Sequence, residues 1–224
     1  MTDLLSGSDL ARVELPPGVT GFGFTEVRYL LARHDEPAAA TAREVLGLDA
    51  APEDDWVLAA GLASLAARGL AVADRDRAQS RGEAALLEVL LSRGHRWTGI
   101  GMREGDDGQG DLLVVIEAPG VVGLLQPRIF GTWFVSLSAD PAEVADPSRL
   151  VAPSLLEART RHDRLGFALE TRTERGVVGR RYARPAEGGW AVSDTLQGPR
   201  EHVALEATEA LVRSVLTAGE VTRG

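Results

Sequence analysis

The chain has 224 residues, 44% of them apolar and 25% charged, with a net charge of −9; it contains no cysteine, lysine or asparagine, and all 24 basic residues are arginine. These absences exclude disulfides, thiolate metal sites, cysteine nucleophiles, P-loop lysines and Schiff-base lysines. The negative charge repels phosphate backbones and anionic lipid, so neither a nucleic-acid nor a membrane partner is expected.

Residues 1–20 read as a loose lead-in broken by Pro16-Pro17-Gly18. Met1–Leu5 offer no basic or apolar signal region, so a cytoplasmic protein is expected. Val27, Leu30 and Leu31 predict a short helix over 24–33, and Val45 and Leu46 close a second over 38–48. Pro52, Glu53, Asp54 and Asp55 then open a third helix, because acids favour the positive end of the helix dipole. It runs to Arg68 and stops at Gly69. Its length from Trp56 to Ala67 is uncharged and too short to span a bilayer. A helix apolar all round is normally buried on most sides or closely packed by another helix. A short strand over 70–72 and a helix over 81–93 follow. The latter ends Arg93-Gly94, so the same glycine cap is expected at both stops.

After His95 the period changes to that of strands, over 97–102, 112–117, 121–126 and 129–137. Residues 140–150 read as a broken helical connection interrupted at Pro147. A second run of strands is expected over 165–173, 177–183 and 190–194. Pro199 then opens a last helix to Thr217, with Val203, Ala207, Leu211 and Val215 as its stripe. Strands grouped in runs predict an α+β fold. Antiparallel sheet from two meanders would pack with N-terminal helices and a C-terminal helix. Residues 21–218 form either one domain or two similar subdomains, 21–150 and 151–218.

Catalytic patterns are missing. No two of His34, His95, His162 and His202 stand three or four residues apart, and there is no Gly-x-Ser-x-Gly elbow. Asp106, Asp107 and Asp111 lack the closing glutamate of a calcium loop. No metal, cofactor or catalytic residue is assigned. Strand aromatics are ordinarily core, but Gln126–Phe134 combines Arg128 with Phe130, Trp133 and Phe134, the residue types favoured at interface hot spots. These four are the candidate partner-binding residues.

The stretch Trp56–Leu70, ending Leu65-Ala66-Ala67-Arg68-Gly69-Leu70, is similar to winged-helix regulators. It also resembles the EspG-like chaperones of type VII secretion, over about residues 50–217. That resemblance implies a non-enzymatic cytosolic chaperone that covers an apolar helical partner of the kind a secreted substrate presents. It carries over no catalytic residue. The alternatives are a winged-helix regulator, or an enzyme or small-molecule binder using Arg128, His95 or Asp111 in a pocket between sheet and helices.

Overall fold

The computed structural model describes residues 18–48, 54–74, 77–105, 110–128 and 131–218. The elements follow in chain order: β1 (Val19–Gly23), α1 (Phe24–Ala32), α2 (Pro37–Val45), α3 (Asp55–Ala67), β2 (Ala71–Asp74), β3 (Arg77–Ser80) and α4 (Gly82–Arg93). A first meander is β4 (Arg96–Glu104), β5 (Gly110–Ala118), β6 (Val121–Arg128) and β7 (Thr132–Ser138). Helices α5 (Pro141–Ala145) and α6 (Ser148–Arg161) lead to a second: β8 (Leu165–Thr173), β9 (Gly176–Ala186), β10 (Gly189–Ser193) and β11 (Glu201–Ala204). A 3-10 turn (Leu205–Ala207) and α7 (Thr208–Leu216) close the described chain.

The fold is α+β, as the grouping of strands predicts. Both meanders lie in one antiparallel sheet of nine strands, ordered β1-β7-β6-β5-β4-β8-β9-β10-β11. The first strand of each meander, β4 and β8, pair at the join, with Ile100 opposite Leu169 and a 2.7 Å hydroxyl bond between Thr98 and Thr171. The sheet therefore runs unbroken across residue 150. The short β2–β3 ribbon stands apart from it.

Side chains alternate across a strand, and each face of this sheet has its own cover. Trp97, Val114, Ile116, Leu125, Trp133 and Val135 pack under Leu30 and Leu31 of α1 and Leu87, Leu90 and Leu91 of α4. Ile100, Val115, Val122, Phe167, Leu169 and Trp190 face the other way, against Val151 and Leu155 of α6 and Leu211, Val212 and Val215 of α7. A Cβ at Gly123 would collide with Leu90, which is why the α4 contact needs a glycine there.

The structure corrects several expectations. Strand β1, made of Val19-Thr20-Gly21-Phe22-Gly23, begins inside the expected lead-in and pairs with β7 as an edge. Residues 1–17 lie outside the described residues, as do Pro52, Glu53, Asp106, Asp107 and Phe130. Helix α6 continues to Arg161 through Pro153, whose exposed ring sits on the solvent side. The expected last helix begins only at Thr208. Glu201–Ala204 instead pair with β10, Trp190 opposite Val203, since the open sheet edge captures a segment that would otherwise join the helix. The two Arg-Gly stops also differ. Gly69 has φ 73°, the left-handed cap, whereas Gly94 has φ −55° and is a glycine for lack of room. A Cβ there would meet the Leu90 carbonyl oxygen at 2.8 Å and Trp97 at 3.1 Å.

Candidate functional site

Helix α3 departs most from what its sequence leads one to expect. Val57, Gly61 and Leu65 are buried, and they form a single inward stripe at helical spacing. The stripe lies on α1. A Cβ at Gly61 would run into the Thr25 carbonyl oxygen and come within 2.8 Å of Tyr29 Cβ. Trp56, Ala59, Ala60, Ala63, Ala66 and Ala67 fall on the outward arc, and all are exposed. Trp56 is 68% exposed. Alanine on a surface helix is explained by helix propensity alone, but a bare tryptophan is not. Val72 of the adjoining ribbon adds a further exposed apolar side chain, at 41%.

A buried carboxylate holds this helix in place. Glu26 of α1 is 2% exposed. It accepts from the Gly23 N–H at 2.8 Å, which caps α1. It also accepts from Ser64 Oγ at 2.7 Å and from Arg68 Nη1 at 2.8 and 2.9 Å, both on the α3 side. The Arg68 guanidinium lies 5.5 Å from the Phe22 ring centroid. The outward face is thus borne by a fixed helix. Its two ends carry opposite charge: exposed Asp54 and Asp55 at the start, Arg68 and Arg81 at the finish. The Arg81 backbone N–H bonds the Leu70 carbonyl at 2.8 Å, which places it at that end.

Of the residues singled out from sequence, Phe130 lies outside the described residues, and Trp133 and Phe134 lie on opposite faces of β7. Trp133 is 6% exposed and belongs to the core under α1 and α4. Phe134 points to the opposite face, half-buried, with the Arg128 guanidinium 4.9 Å from its ring centroid. Arg128 also donates to Gln126 Oε1 at 2.8 Å. Neighbours in sequence are separated here by strand alternation. His95 and Asp111 do not converge either: they sit at opposite ends of the β4–β5 ladder, beside the Arg96–Glu117 and Met102–Asp111 pairs.

The histidines make separate contacts: His34 with Glu88 at 2.9 Å, His162 with Glu104 at 3.0 Å, and His202 with the Glu187 carbonyl at 3.0 Å. Among the described residues, no three His, Asp or Glu side chains gather as a metal-binding group. None of their helices is long and apolar enough to cross a membrane. The Glu26 clamp was missed by sequence reasoning. Its signal is the i, i+4 pair Ser64 and Arg68 at the end of a helix uncharged from Trp56 to Ala67. Comparison with protein-family models and with curated proteins gives no match to this chain.

Proposed function

We propose that this chain is a non-enzymatic binding protein that docks an apolar helix of a partner protein on the outward face of α3. One observation carries the reading: Trp56 stands 68% exposed on a helix that bears no charge from Trp56 to Ala67. Burying the rest of that indole offers about 3–4 kcal/mol before ordering costs. The alanines beside it permit close helix approach. The charged ends select a partner helix with basic residues near Asp54 and Asp55 and acidic residues near Arg68 and Arg81. In its finer form the proposal is an EspG-like cytoplasmic secretion chaperone. It would keep such a helix soluble before export.

The order of three helices and a β-ribbon favours a second reading, the winged-helix regulator. Its recognition surface would be this same helix. That surface is apolar with acids at its N-terminal end, the reverse of what phosphates require.

The test is affinity capture with the wild type and with Trp56→Glu and Ala63→Glu, followed by hydrogen exchange on the recovered complex. The proposal expects one partner, lost from both variants, with protection confined to α3 and to an apolar helix of that partner. Retention by both variants, or protection elsewhere, overturns it. A salt-sensitive shift of duplex DNA would move the assignment to the regulator.

A further inference from the structure

The outward face of α3 is asymmetric in charge and in bulk. Exposed Asp54 and Asp55 stand at its start, and exposed Arg68 and Arg81 at its finish. Trp56, 68% exposed, fills the first turn, whereas the last turn of the same face offers only Ala66 and Ala67. A face of this kind fits its own reversal. Turning α3 end over end about the point midway between Ala60 and Ala63 sets Asp55 opposite Arg68, Trp56 opposite Ala67, and Ala60 opposite Ala63. Each acid then meets a base, and each indole lies over the methyl-lined end of the other helix.

We infer that, when no partner is bound, this face is covered by α3 of a second copy of the chain, laid antiparallel across a two-fold axis near Ala60 and Ala63. The inference rests on the reading of α3 as a helix-docking face and names what occupies that face at rest. Charge complementarity selects the occupant: a helix basic near Asp54 and Asp55 and acidic near Arg68 and Arg81 is what a reversed α3 presents. A parallel pair would instead set acid on acid and arginine on arginine, which opposes association. Arg68 is 37% exposed on its side chain while it donates to Glu26, so it faces the second copy without leaving its clamp. Alanine at the crossing lets the two axes approach to about 8 Å, the near end of helix packing distances.

A two-fold contact uses the same patch on both copies, so the pair is closed and leaves no free face to recruit a third chain. Apolar surface that would otherwise invite aggregation is thereby hidden. Area sets the strength. From Trp56 to Ala67 the contact runs about 16 Å at about 1.5 Å per residue, and a helix is about 10 Å wide. Each copy therefore contributes well under the roughly 800 Å² of a standard interface. The dimer is weak, with a dissociation constant on the order of tens of micromolar, and a partner helix that touches more of the surface displaces it. Two chains of net charge −9 repel, but salt screens that repulsion over about 8 Å and leaves the close Asp55–Arg68 pairs to act.

The test is sedimentation equilibrium of the full chain at physiological salt over about 1–500 µM, together with cysteine cross-linking. The expectation is a reversible monomer–dimer equilibrium. Ala63→Glu brings like charges together at the axis and should weaken it roughly tenfold or more, with the melting temperature of the dilute monomer unchanged. The chain has no cysteine, so single introduced thiols report the register. Mixed Ala60→Cys and Ala63→Cys chains should form a disulfide, since the axis brings these Cβ atoms near the about 4 Å that the bond needs. Ala67→Cys should not link to itself, because reversal sets its two copies about 16 Å apart. A chain monomeric over the whole range, a dimer indifferent to Ala63→Glu, or self-linking of Ala67→Cys overturns the inference. A monomeric chain that still captures a partner helix overturns the self-pairing alone. A dimer through α3 that captures no other protein upholds the self-pairing and removes the partner reading.

Discussion

Replacing Glu26 by glutamine tests whether α3 is held by charge. The carboxylate is 2% exposed and receives hydrogen bonds from Gly23, Ser64 and Arg68. A glutamine offers one oxygen, and its NH₂ must face one of three donors. The change removes the charged bonds to Arg68, worth about 1.5–3 kcal/mol, and leaves one donor unsatisfied for about 1 kcal/mol more. Arg68 is 37% exposed on its side chain, so on losing its partner it is rehydrated. That keeps the cost below the 3–5 kcal/mol or so of a fully buried broken pair. The expected loss is about 2–3 kcal/mol. In urea, at a slope of about 2–3 kcal/mol per molar, the midpoint falls by about 1 M. Tryptophan fluorescence reports it, and partner capture should weaken in parallel. A double-mutant cycle with Arg68→Gln should return a coupling of about 1–2 kcal/mol. A midpoint unchanged within 0.2 M or so, or zero coupling, refutes the clamp.

Gly61→Ala should destabilise by about 2–4 kcal/mol despite the roughly 1 kcal/mol gain in helix propensity, because its Cβ collides with Thr25; a rise in melting temperature would contradict the close α1–α3 contact. Trp190 donates to Thr208 Oγ1 at 2.9 Å, while the buried Trp97 Nε1 has no acceptor among the described residues. Trp190→Phe should therefore cost about 1 kcal/mol more than Trp97→Phe in urea unfolding, since only the first loses a hydrogen bond. Hydrogen bonding from Arg213, aided by Ser148, holds the Asp146 carboxyl below the usual aspartate range. Its stabilising contribution is present above about pH 3.9 and is lost as pH falls through the lower folded value. Asp146→Asn should cost about 1 kcal/mol at pH 7, a gap that closes in melting scans taken toward pH 3.

The two meanders were legible because antiparallel strands with one covered face alternate, and β8 runs Leu165, Phe167, Leu169 and Thr171 on its buried side. Strands β1 and β11 were not. Each is an edge held by a single neighbour, β7 or β10, so long-range pairing decides the conformation of residues whose local pattern favours a loop or a helix. Helix α6 likewise runs to Arg161, beyond the expected end at residue 150, because an exposed proline at 153 in its second turn loses only one hydrogen bond.

The candidate residues of β7 part from one another for a related reason. Composition picked out Arg128–Phe134 as an aromatic cluster, but sequence proximity in a strand guarantees opposite faces, so Trp133 and Phe134 could never act together. Uniform hydrophobicity in α3 suggested burial, although among the described residues its inward stripe leans on α1, and an unvarying apolar pattern cannot say which side that is. The exposed apolar surface therefore arises where helical cover ends, at the outer side of α3. The extent of that cover is a property of the tertiary fold, which no window along the chain contains.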